Sequence, residues 1–131
     1  MTIELKMLAW TLVLALVQVL LFDIARTRQY GLKWNMWPRD GEMPPLSPVA
    51  GRLRRAQDNL FETLPLFIGA VLIAHVAQRT SPATALGAQL FFWARVAYVP
   101  LYACGVPIVR SIAWGVALTG LGMIGTAILV P

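Results

Sequence analysis

The chain has 131 residues, 58% of them hydrophobic and only 13% charged, against about a quarter charged in an ordinary soluble domain. That is room for one domain, residues 1–131, and too little charge to cover a water-facing surface, which argues against a soluble helical bundle. The net charge of +5 raises the question of nucleic acid. However, Arg26, Arg28, Lys33, Arg39, Arg52, Arg54 and Arg55 all fall between the first two apolar segments, a bias that orients a membrane protein with its basic loop in the cytoplasm. No nucleic-acid partner is expected.

The apolar run that begins near Leu5 is not followed by a small-residue cleavage site. It reads as a first membrane helix over about 5–28, retained rather than removed. Residues 29–47 form a cytoplasmic loop with Trp34 and Trp37 at headgroup level. Pro38, Gly41, Pro44 and Pro45 deny it a regular helix. Ser47-Pro48 is a helix start, with serine as N-cap and proline at the first helical position, and opens a second span over about 48–77. Thr80-Ser81-Pro82 repeats the signal and opens a third over about 82–103, bent at Pro100. Gly105 and Pro107 make a turn into a fourth span, about 108–130, which carries no charge after Arg110. The prediction is an all-α membrane protein, a four-transmembrane-helix antiparallel bundle. An even number of spans and the basic loop put both termini on the non-cytoplasmic side. Gly115, Gly120, Gly122 and Gly125 would let the last helix pack closely.

Charged groups within membrane spans usually mark function or helix pairing. Arg52, Arg55, Asn59 and Glu62 recur at three- and four-residue intervals, which places them on one helical face. Arg95 lies in the third span with Tyr98 and Tyr102 on its face, and Arg110 opens the fourth at the same membrane level. This polar seam suits a small anion, since guanidinium groups pair with carboxylates. A bland alternative is that Glu62 only neutralises Arg55 or Arg95. His75 and Cys104 are each the only residue of their type, so no metal site is expected. Cys104 reads as a small packing residue, His75 as an interfacial one, and Asp23 as a helix-end carboxylate or a partner for Arg26.

Arg55-Ala56-Gln57-x-Asn59-x-x-Glu62-x-x-Pro65-Leu66-Phe67, then Arg95-x-x-Tyr98-x-x-x-Tyr102 and Arg110-Ser111, resembles the MAPEG family, the membrane-associated proteins of eicosanoid and glutathione metabolism. The likeness is fullest over 50–115. It implies a homotrimer of four-helix subunits in contact with membrane lipids, with glutathione as co-substrate near the cytoplasmic face and a hydrophobic small molecule as the second substrate. By the same resemblance Arg55, Asn59, Glu62, Arg95, Tyr98 and Tyr102 would bind glutathione, with Arg26 or Arg28 contributing from the first span. Arg110 would stabilise the thiolate of a transferase or peroxidase. Asp58 and Cys104 depart from the pattern, standing where family members carry further basic residues. The short chain looks like a bacterial inner-membrane member. A non-enzymatic binding protein of the same fold is the alternative.

Overall fold

A computed structural model describes all residues, Met1–Pro131. Five helices follow one another: α1 (Ile3–Tyr30), α2 (Leu32–Met36), α3 (Pro48–Val76), α4 (Pro82–Ala103) and α5 (Pro107–Leu129). The four long ones form an antiparallel bundle, and each start has a local cause. Thr2 caps α1 through a bond from the Leu5 amide, and Ser47 caps α3 through one from Ala50. Ser81 and Thr84 form a reciprocal capping box at α4, satisfying two amide donors that a helix start otherwise leaves unpaired. Proline is the first residue of α3, α4 and α5, where its missing N–H is no loss. Pro65 and Pro100 lie inside α3 and α4.

The segment after α1 differs from the sequence expectation, for α2 is a single helical turn inside it. Leu32–Met36 precedes the prolines, so nothing blocks one turn there, and Asn35 donates to Thr27 Oγ1 at 3.1 Å to hold it against α1. Beyond it the chain runs extended and is clasped to the end of α1. Gln29 donates to the Pro45 carbonyl at 2.8 Å and accepts from the Ser47 amide at 2.7 Å, and the Tyr30 hydroxyl donates to the Pro44 carbonyl.

The buried face of α1 reads Glu4, Leu8, Thr11, Ala15 and Gln18, a four-three spacing that keeps one stripe turned to its neighbours. It meets α3 and α4 but not α5; α3 and α4 also pack against α5. The centre holds Leu60, Leu64, Phe67 and Val71 of α3 with Ala88 and Phe91 of α4, and Phe67 stacks on Phe91 at 4.1 Å. The α4–α5 contact is the closest. A Cβ built on Gly120 would lie 2.3 Å from the Gly87 carbonyl oxygen, and one on Gly87 would lie 2.6 Å from that of Gly120. Gly115, Gly122 and Gly125 face open space, so one glycine of the four in α5 makes this crossing.

The outside is apolar. Leu12, Leu16, Leu20, Leu66, Ile73, Trp93 and Ile112 are all exposed, a contiguity that a water-soluble surface does not tolerate. Helices α1, α3 and α5 are each long and apolar enough to cross a bilayer. Helix α4 is 22 residues long but carries Gln89, Arg95, two tyrosines and Pro100, which lower its apolarity. The chain is a multi-pass integral membrane protein.

Candidate functional site

The polar seam gathers at the end of the bundle where α3 begins, α4 ends and α5 begins. Helix α3 brings Arg52 and Arg55 one turn apart and Asn59 a turn deeper. Helix α4 brings Arg95, Tyr98 and Tyr102, and α5 brings Arg110 at its first turn. The deepest member is Arg95, 1% exposed. Its Nη1 donates to Asn59 Oδ1 at 2.7 Å, across 36 residues of sequence, and its guanidinium lies over the Tyr98 ring at 4.5 Å. Its Nε and Nη2 are buried without a partner. Nearer the membrane surface, Arg55 Nε donates to the Tyr102 hydroxyl at 3.1 Å. Arg110 lies over the Tyr102 ring at 4.6 Å, and the two tyrosine rings are 5.5 Å apart.

Four cations stand here without an ion pair. The chain has two ion pairs, Arg26 with Asp23 at 2.6 Å and Arg54 with Asp58 at 4.0 Å. Neither involves Arg52, Arg55, Arg95 or Arg110. Glu62 is exposed and forms no ion pair, so it does not close the seam as a simple neutralising partner.

Two hollows meet at Arg110. The outer, about 200 Å³, is lined by Arg52, Arg55, Tyr102, Gly105, Pro107 and Arg110. The inner, about 140 Å³, is lined by Asn59, Tyr98, Arg110, Ser111 and Trp114. The outer presents guanidinium groups to an anion; the inner presents an amide, two hydroxyls and an indole around the same arginine.

The remaining residues expected at the site lie elsewhere within the subunit. Arg26 is tied to Asp23 and sits over Phe22 at 5.0 Å and Trp34 at 5.3 Å. Arg28 points into a separate hollow with Asp23, Ile24, Thr27, Leu32 and Asn35. Neither touches the α3–α4–α5 cluster. Cys104 is free and exposed at the end of α4. Arg52, read from the sequence as on the face of Arg55 and Asn59 but not assigned to the site, lines the outer hollow, and the signal available was its position one turn before Arg55. Trp114 carried none beyond following Arg110 by one helical turn.

The sequence profile of the MAPEG family matches residues 7–130, which spans all four long helices and every residue of the cluster. The chain belongs to the MAPEG family. None of the curated proteins matches it closely enough to count as a relative. The family includes enzymes and non-enzymes of lipid and glutathione metabolism, so membership leaves the activity to be argued from the residues.

Proposed function

We propose that this MAPEG chain is a glutathione-dependent transferase or peroxidase acting on lipophilic electrophiles or hydroperoxides. The observation that carries the reading is the group of four guanidiniums without a carboxylate partner, one of them buried with two unpartnered nitrogens. A buried cation of this kind is strongly unfavourable unless an anion or acceptor completes it. Glutathione fits that donor set, with two carboxylates for the arginines and peptide groups for Asn59, Tyr98 and Tyr102. When bound it supplies a thiol, whose anion is the nucleophile toward an electrophilic carbon or a peroxide oxygen.

The residues divide the work by position. Arg95, fixed by Asn59 and Tyr98, offers its free edge to an acceptor of the ligand. Arg55 holds the Tyr102 hydroxyl and stays partly free for a carboxylate. Arg110, between the two hollows, is placed to stabilise negative charge on sulfur, since a nearby cation favours the thiolate. Trp114 and the exposed apolar faces admit a second substrate from the bilayer.

The family resemblance extends the proposal to a homotrimer, in which Arg26 or Arg28 of one subunit would complete a neighbour's site. It also extends to four membrane crossings, with α4 as the fourth, screened from lipid on its polar side by α1, α3 and α5. Both termini are then non-cytoplasmic and the arginine cluster is cytoplasmic, in a bacterial inner membrane. The α3 motif resembles that of leukotriene C4 synthase, and Arg95 to Ser111 resembles the corresponding stretch of microsomal prostaglandin E synthase.

The test is thermal stability of the detergent-purified protein across a glutathione titration, because a ligand that binds the folded state raises its stability in a saturable way. No shift at millimolar glutathione sinks the reading. Arg110→Ala is expected to reduce turnover far more than glutathione affinity, and equal loss of both removes the role given to Arg110. One observation favours a second reading, a non-enzymatic binder of a lipid or small anionic thiol. Asp58 turns to Arg54 at the surface and Cys104 is uncharged, so two positions add no positive charge to the seam.

A further inference from the structure

The last turns of α1, with α2 and the segment after it, carry Arg26, Arg28, Lys33 and Arg39, and three of these cations are occupied. Arg26 pairs with Asp23 at 2.6 Å. Lys33 lies over Trp37 at 5.9 Å. Arg39 donates to the Asn35 carbonyl at 3.2 Å and lies over Trp34 at 4.6 Å. Arg28 is the exception, exposed and joined to no acid of the chain. It lines a hollow with Asp23, Ile24, Thr27, Leu32 and Asn35, about 400 Å³ in volume. Towards the bilayer centre, Val17, Leu21 and Ile24 are all exposed. They precede Arg28 at intervals of four, three and four residues, which puts all of them on one face of α1. From Val17 to Arg28 is about 16 Å of helix, close to half of the roughly 30 Å of bilayer hydrocarbon. An apolar stripe one leaflet deep therefore ends at an unpartnered guanidinium.

We propose that the α1–α2 hollow is a phospholipid site selective for a headgroup that carries a primary ammonium. Arg28 takes the phosphate, Asp23 takes the ammonium, and the Val17–Leu21–Ile24 stripe takes an acyl chain. The planar fork of a guanidinium suits phosphate oxygens. The Thr27 hydroxyl accepts from Asn35 at 3.1 Å and keeps its own proton to donate to the same phosphate. Asp23 gives Oδ1 to Arg26, which leaves its second oxygen for an N–H donor. A headgroup with phosphate alone would set its negative charge beside that carboxylate, whereas a zwitterion matches both charges. Ile24 and Leu32, 54% and 65% exposed, give the hollow apolar walls that a lipid uses and a soluble phosphate does not. This site is separate from the two hollows at Arg110 and does not depend on the glutathione reading. Of the two α1 arginines that the family resemblance offers to a neighbouring subunit, it leaves Arg26.

The experiment reads retained lipid by native mass spectrometry of protein released from mixed micelles. The micelles hold equal amounts of phosphatidylethanolamine, phosphatidylcholine and phosphatidylglycerol with identical acyl chains. Wild type is expected to retain phosphatidylethanolamine over phosphatidylcholine, whose methylated ammonium has no N–H to give, by about fivefold, the ratio of one charge contact at a membrane surface. Arg28→Gln should lower retention of both by about the same factor, and Arg28→Lys should restore part of it. Asp23→Asn should remove the preference between the two while leaving the phosphate contact. Should Asp23→Asn disturb the end of α1 by releasing Arg26, the two Arg28 variants carry the comparison. Equal retention of the ethanolamine and choline lipids by wild type overturns the proposal, as does retention by Arg28→Gln that matches wild type. Preference for phosphatidylglycerol would mean that the hollow reads negative charge alone, and overturns it too. So does displacement of the lipid by soluble phosphoethanolamine at equal concentration, because that ligand uses none of the apolar stripe.

Discussion

The Arg95–Asn59 pair predicts opposite signs for two substitutions that look equally damaging. Asn59→Leu removes the acceptor of Arg95 Nη1 and leaves a 1%-exposed guanidinium with no protein hydrogen bond. Losing a bond to a charged group costs about 1.5–3 kcal/mol, and leaving a buried charge unpaired reaches about 3–5 kcal/mol. Arg95→Met removes the charge itself. It strands Asn59 Oδ1 at about 1 kcal/mol, forfeits a cation–π contact of about 1–2 kcal/mol, and relieves two unpartnered N–H groups at about 1–3 kcal/mol each. The sum for Arg95→Met is therefore near zero or stabilising, and that for Asn59→Leu is clearly destabilising. Thermal unfolding in detergent without ligand should rank Arg95→Met at or above wild type, with Asn59→Leu well below. Saturating glutathione, at a hundredfold over its Kd, adds about 2.7 kcal/mol to wild type and should add much less to Arg95→Met. If ligand-free Arg95→Met unfolds below Asn59→Leu, the argument that Arg95 is kept for a ligand rather than for the fold is wrong.

Three further outcomes are expected. Gly120→Ala should lose about 1–3 kcal/mol by overpacking, because its Cβ meets the Gly87 carbonyl and the Phe91 amide, whereas Gly122→Ala, facing open space, should lose nothing. Thermal unfolding of the two variants separates them, and a large loss at Gly122 would place another subunit against that face. Thr84→Val should lose about 1–3 kcal/mol, since Thr84 supplies the buried bond to Glu4 and half of the α4 capping box; the check is chemical or thermal unfolding. Gln29→Ala should leave the unfolding temperature nearly unchanged but open the segment before α3 to protease, because both bonds it loses lie in an exposed clasp.

Much of the architecture was legible because membrane helices announce themselves locally. Ser47-Pro48 and Ser81-Pro82 mark helix starts by side-chain chemistry alone, and the structure caps α3 and α4 at those serines. The α3 face was legible through its three- and four-residue spacing. What the sequence could not display are choices made between helices. Arg95 takes Asn59 rather than Glu62, Arg52 takes a carbonyl 51 residues away, and Gly120 rather than its neighbours meets α4. Spacing defines a face but not the rotation of the facing helix. Glu4 is the sharpest miss: an acid in the first turn usually faces solvent, near the helix N-terminus it favours, yet it lies 3% exposed on the stripe that the α1 spacing turns inward.

The two ends of the bundle manage polar groups in opposite ways. At the Glu4 end, the carboxylate accepts from Thr84, Thr84 completes the cap with Ser81, and Arg79 donates to the Val130 carbonyl at 3.1 Å. Polar groups there are matched by neighbours of complementary chemistry, as a helical bundle in lipid requires. At the Arg110 end, four guanidiniums have aromatic rings, an amide and a carbonyl for company but no acid within ion-pair distance. Helix packing alone gives no reason for that difference, because the same helices supply both ends. Exchanging Arg95, the one fully buried member, for an apolar residue would relieve desolvation within the fold. A basic cytoplasmic end orients the chain in the membrane, but orientation needs no buried Arg95 with two unpartnered nitrogens, and that residue is what supports the proposal of an anionic ligand at this end.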